Sequence, residues 1–103
     1  MKEEFIVFRM TYDMTFLKCI QAINSNGFTL TQQNQSMGYI KATSGISIWS
    51  FGEELHIYLK ELDDGMKTSL HIICDSVVKT TVTSWGKNAK NIQKILTTLK
   101  QGF

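Results

Sequence analysis

Leu55-His56-Ile57-Tyr58-Leu59-Lys60-Glu61-Leu62, then Asp63-Asp64-Gly65, then Met66-Lys67-Thr68-Ser69-Leu70-His71-Ile72-Ile73-Cys74-Asp75, is the stretch on which the fold turns. Apolar and polar residues alternate on both sides of an Asp-Gly step, the pattern of two half-buried strands joined by a hairpin. With Asp64 and Gly65 as the loop, Leu55, Ile57 and Leu59 share a face with Leu70, Ile72 and Cys74, and that is the core face. A slip of one residue would send all of them to solvent, so burial favours this register. The other face then sets Glu54, His56, Tyr58 and Lys60 opposite Asp75, Ile73, His71 and Ser69 in turn.

Upstream, Phe5 to Met10 is short, aromatic and β-branched and predicts a strand. Asp13 is expected to cap a helix whose apolar stripe is Phe16, Cys19, Ile20 and Ile23. Asn24-Ser25-Asn26-Gly27 ends it, with Gly27 suited to a left-handed conformation. Phe28 to Gln32 and Tyr39 to Thr43 alternate around the polar turn Asn34 to Gly38, with Ile40 and Ala42 on one face. Ile46 to Phe51 is expected to be an irregular extension of that strand or a bulged connection. Val77 to Val82 is expected to be a connection or a ragged strand end. A second helix begins near Ser84-Trp85-Gly86, with the stripe Ile92, Ile95, Leu96 and Leu99. The expected fold is α+β in the order β-α-β4-α, a five-stranded antiparallel sheet with both helices on one face. At 103 residues this is one domain, 1–103.

That order is the one found in folds like the TATA-box-binding protein and in helix-grip domains. Asn26-Gly27-Phe28, Gly38-Tyr39-Ile40-Lys41-Ala42, Trp49-Ser50-Phe51-Gly52-Glu53 and Ser84-Trp85-Gly86-Lys87-Asn88 running into Asn91-Ile92 together resemble motifs of small uncharacterised bacterial domains. The resemblance covers most of the chain. It implies that fold and carries no activity with it.

The net charge of +2 is too small for the strong field of a dedicated nucleic-acid binder. Its distribution is uneven: residues 1–75 hold six Lys/Arg against nine Asp/Glu, and residues 76–103 hold five Lys and no acid. The two cysteines, Cys19 and Cys74, fall inside apolar runs, as small core residues of a reducing cytosol do. Acids at Glu3 and Glu4 are wrong for a signal peptide, and no stretch is apolar enough to span a bilayer, so a cytoplasmic protein without a membrane partner is expected.

No Gly-rich phosphate loop, Gly-x-Ser-x-Gly turn or spaced His/carboxylate motif occurs, so neither an enzyme nor a cofactor is expected. The nearest approach to a metal site is Glu54, His56, His71 and Asp75, whose imidazoles and carboxylates are suited to zinc but lack a close-spaced ligand motif. The leading reading is an interaction module whose open sheet face, with Tyr39, Lys41, His56, Tyr58, His71 and Ile73, is neither properly polar nor properly apolar. A homodimer through this face or across an edge strand would cover it. The alternative is a small apolar ligand held between sheet and last helix by Ile48, Phe51, Ile92, Ile95 and Leu99. A third reading places phosphates on Lys79, Lys87, Lys90 and Lys94, with Trp85 or Tyr39 stacking on bases; the plainer reading of these lysines is a solvated helix face.

Overall fold

The hairpin forms in the expected register, with Leu55 opposite Cys74, Ile57 opposite Ile72 and Leu59 opposite Leu70. A computed structural model of the chain describes residues 1–47, 50–76 and 84–101. The elements are β1 (Lys2–Phe8), α1 (Tyr12–Ser25), β2 (Thr29–Asn34), β3 (Tyr39–Ser47), β4 (Ser50–Leu62), β5 (Lys67–Ser76) and α2 (Ser84–Gln101). All strand pairs are antiparallel, in the order β1-β5-β4-β3-β2. The β4–β5 loop is longer than two residues: Asp63 to Gly65 form a short 3-10 turn closed by the Met66 N–H on the Asp63 carbonyl at 3.1 Å. The register is unchanged, because the extra loop residues come equally from both strands.

Both helices lie on one face of the sheet. From the strands that face contributes Phe8, Ile40, Ala42, Leu55, Ile57, Leu59, Leu70, Ile72 and Cys74. Phe16, Cys19, Ala22 and Ile23 of α1 and Ile92, Ile95, Leu96 and Leu99 of α2 close over it. Each fully buried aliphatic side chain contributes about 1.5–3 kcal/mol, so this one cluster carries most of the stability. The helices meet directly where Asn26 Nδ2 donates to Thr98 Oγ1 at 2.9 Å. The α1 stripe is rotated slightly from the expected one: Ala22 is buried and Ile20 only partly so.

Three boundaries differ from expectation, each for a local reason. The cap of α1 is Thr11, whose Oγ1 accepts the Met14 N–H at 3.3 Å. Asp13 sits in the first turn, where its carboxylate accepts Gln35 Nε2 at 2.8 Å and still favours the helix dipole. Strand β1 runs from Lys2 to Phe8 rather than Phe5 to Met10, because pairing with β5 extends to Lys2 opposite Cys74, while the Met10 carbonyl is taken by Thr68 Oγ1 at 2.9 Å. Strand β2 begins after Phe28, whose N–H closes the end of α1 on the Ile23 carbonyl at 3.0 Å, and its register shifts between Leu30 and Gln32. At the two ends of the segment Ile46 to Phe51, β3 and β4 stay paired, with Ile46 opposite Phe51 and Ser47 opposite Ser50. Ile48, Trp49 and the segment Val77 to Val82 lie outside the described residues.

Gly27, with φ of +77°, ends α1 as expected, its N–H on the Asn24 carbonyl at 3.1 Å. Gly38, with φ of +69°, is more constrained: a Cβ there would stand 2.3 Å from the Leu59 carbonyl oxygen. Nothing lies within 4 Å of a Cβ at Gly27. Gly27→Ala should therefore cost only the left-handed penalty of about 1–2 kcal/mol. Gly38→Ala should cost a further ~1–3 kcal/mol for the displaced backbone. Urea unfolding of the two variants checks this ordering, and equal losses would contradict it.

Candidate functional site

The face of the sheet away from the helices carries a row of rings set by strand register alone. Phe5 is opposite His71, His71 opposite Tyr58, and Tyr58 opposite Tyr39, so one residue from each of four adjacent strands falls in line. Phe5 stacks on His71 with centroids 3.9 Å apart and planes 15° apart. Tyr58 lies 6.1 Å from His71 and 5.2 Å from Tyr39, and Tyr39 lies 6.0 Å from His56. Carboxylates tie the two imidazoles down: His71 Nε2 meets Glu3 Oε2 at 2.9 Å and His56 Nε2 meets Glu54 Oε2 at 3.2 Å. Since an ionised carboxylate only accepts, each Nε2 carries a proton. In the neutral imidazole, His56 Nδ1 then accepts the Tyr39 hydroxyl at 2.8 Å, completing a Tyr39–His56–Glu54 chain. Burial, then the neighbouring Tyr58 and Glu54, raise the Tyr39 phenol above its ordinary range, so it serves as a donor and not as a base.

The expected face residues Tyr39, Lys41, His56, Tyr58, His71 and Ile73 do share this surface. Sequence reasoning missed two exposed apolar members of it. Phe5 is 70% exposed and Val7 52% exposed, both on β1 at the outer edge of the described sheet. Together with Tyr58, Lys60, Ser69 and His71 they line a shallow apolar depression of about 440 Å³.

The metal candidates are not gathered. Glu54 and His56 bond to each other, His71 is held by Glu3, and Asp75 stands across the ladder from Glu54. Lys41 Nζ lies 3.9 Å from Glu54 Oε2 and the Met1 ammonium 3.6 Å from Asp75 Oδ1, so each of the facing carboxylates has a cation of its own. Among the described residues no three His, Cys, Asp or Glu side chains come together as metal ligands would.

Of the expected apolar groove, Ile92, Ile95 and Leu99 are closed into the core, and Ile48 and the Phe51 side chain lie outside the described set. Beside α2 open a cleft of about 310 Å³ lined by Phe28, Ser44, Glu53, Lys90, Asn91 and Lys94 among others, and a shallower depression of about 480 Å³ that includes Asn26, Gln93 and Thr98 and shares Lys90 and Lys94 with it. Of the expected anion contacts, Lys90 and Lys94 are exposed on α2 and border this cleft, whereas Lys79 and the Lys87 side chain lie outside the described set. Glu53 and Asn91 were missed as well, although each falls in phase with its apolar neighbours, Glu53 with Leu55 and Ile57, Asn91 with Ile95 one turn on. No helix among the described residues is long and apolar enough to cross a membrane.

No protein-family model and no curated protein sequence matches the chain. Its fold, in contrast, recurs among solved structures. The chain is similar to the adenylate sensor from AMP-activated protein kinase in complex with ZMP (TM-score 0.67, 14% identity, 91% of this chain and 93% of that one). It is similar to an uncharacterised protein from Bacillus thuringiensis (TM-score 0.62, 11% identity, 99% and 97%). It is also similar to Ara h 8.0201 (TM-score 0.57, 8% identity, 97% and 94%). Likenesses this distant establish a shared α+β, helix-grip-like fold and nothing about activity.

Both cysteines are buried thiols outside any disulfide. Burial pushes the Cys19 thiol from 9.0 up to about 12. It pushes Cys74 up to about 11, against the opposing hydrogen bond from Asn91. The native state therefore holds these protons longer than the unfolded chain does. The associated stability is complete below the ordinary thiol pKa of 9.0 and is lost as pH rises towards about 11 and about 12. At neutral pH iodoacetamide should label neither thiol in the native protein and both in denaturant, read by mass spectrometry; rapid native labelling of either would contradict their burial.

Proposed function

We propose that this protein is a non-catalytic interaction module that self-associates through the open face of its sheet and the adjoining β1 edge. The observation that carries the reading is the exposure of Phe5 and Val7 at the end of an ordered row of rings. Exposed large apolar side chains on a sheet edge are ordinarily blunted by charge or covered, because an outer strand offers unpaired backbone groups to another chain. Here the rings are held in place by stacking and by carboxylate–imidazole bonds, so little side-chain freedom remains to be lost on association. The polar flanks, Glu3, Lys41, Glu54 and Lys60, form the kind of rim that surrounds an aromatic centre in protein interfaces.

The raised thiols and the donor role of Tyr39 support a binding rather than a catalytic reading. The order β-α-β4-α and the motif resemblance further suggest an affiliation with small bacterial domains of TATA-box-binding-protein-like topology. Two buried thiols outside any disulfide suit a reducing, cytoplasmic setting.

Sedimentation velocity across a dilution series tests the proposal. The wild-type chain should pass from monomer to dimer as concentration rises. Phe5→Lys should remain monomeric at every concentration while its urea midpoint changes little, because Phe5 is outside the core. A wild-type chain that is strictly monomeric at high concentration would refute self-association.

A further inference from the structure

On the helix side of β4 the run of core residues ends in a carboxylate. Glu53 follows the inward phase of Leu55, Ile57 and Leu59, lies opposite Ser44 of β3, and is only 5% exposed. Asn91 of α2, 7% exposed, reaches it: Asn91 Nδ2 donates to Glu53 Oε1 at 3.2 Å and to Ser44 Oγ at 3.1 Å. Among the described residues no other donor reaches the Glu53 carboxylate, no lysine or arginine pairs with it, and no donor reaches Asn91 Oδ1. Buried carboxylates are ordinarily paired with a cation or saturated with hydrogen bonds, since desolvation of the charge is otherwise uncompensated.

Both groups border the 310 Å³ cleft, with Lys90 and Lys94 at its rim. These lysines are spaced i, i+4 on α2, a like-charge pair that weakens a helix slightly and that no acid in residues 76–103 offsets. The cleft thus has an acceptor floor and a cationic rim. One carboxylate and two ammonium groups sum to a single positive charge, so the complementary ligand carries one net negative charge. Its parts are also specified: an N–H cation for Glu53 and Asn91, and two negative charges for Lys90 and Lys94.

We propose that this cleft binds a small amine bearing two negative charges, an amino-phosphomonoester or an acidic amino acid. The ammonium donates to the free oxygens of Glu53 and Asn91, and the phosphate or carboxylates lie between Lys90 and Lys94. The volume is at the lower end of known ligand sites, roughly 300 Å³ and above, which suits a molecule of this size. The proposal is independent of self-association, which uses the opposite face of the sheet.

O-Phosphoethanolamine and L-glutamate, titrated separately to millimolar concentration into the full chain, are the probes, followed by ¹H–¹⁵N correlation spectra and calorimetry. Ethanolamine and inorganic phosphate are the half-ligand controls. At least one whole probe should bind saturably, shift the Asn91 side-chain amide, and bind at least about tenfold more tightly than either half. The phosphate arm or the amino-acid arm then identifies the source. The exposed pair Lys90→Gln with Lys94→Gln, which leaves the core untouched, should weaken binding about tenfold or more. Glu53→Gln, which keeps the shape and the bond to Asn91, should weaken it likewise. Absence of binding by both probes, affinity equal to that of inorganic phosphate alone, or full affinity in both variants would overturn the proposal.

Discussion

The pairing of β4 with β5 is the constraint on which every other feature of this molecule depends. Strand side chains alternate with a period of two, so one choice of partner decides the direction of every residue in the hairpin. Ile57 opposite Ile72 places six apolar side chains beneath the helices. A one-residue slip would turn the three belonging to one strand out to solvent and forfeit roughly 1.5–3 kcal/mol for each. That loss is comparable with the entire stability of a small domain, about 5–15 kcal/mol. The neighbouring strands inherit the choice, because β1 registers on β5 and β3 on β4.

The two candidate sites are opposite consequences of that one parity. Outward positions assemble the rings of Phe5, His71, Tyr58 and Tyr39 across four strands, although these residues are far apart in sequence. Inward positions carry the core as far as Leu55 and then place Glu53 beneath α2. There the sheet meets Asn91, a buried polar residue one turn before Ile95 on the helix. The ring-bearing face and the Glu53–Asn91 cleft therefore lie on opposite sides of one small layer without sharing a side chain.

Much of this was legible in the residues themselves. Alternation around Asp64-Gly65 and the helical stripes sufficed for the fold, because burial is periodic and periodicity is visible in one sequence. The open-face list followed from the same count. Phe5 and Val7 escaped it because Phe5-Ile6-Val7-Phe8 is apolar throughout: alternation carries no signal there, and only the pairing with β5 tells which two residues face outward. The cap at Thr11 was missed because both Thr11 and Asp13 are capable acceptors, and the choice rests on where the chain leaves the sheet. Glu53 and Asn91 were hidden by their chemistry: a charged or amide residue in core phase reads as the end of an element until a partner from another element is seen beside it.

Cross-strand nuclear Overhauser effects test the register most directly. In the full-length chain the account predicts contacts between the α-protons or amides of Leu55 and Cys74, Ile57 and Ile72, and Leu59 and Leu70, with the Tyr58 and His71 rings in contact on the other face. Contacts displaced by one residue, Ile57 to His71 or Ile57 to Ile73 as the direct pair, would turn one of the two strands over, carrying either Glu53 into water or the His71 ring into the core, and would contradict it.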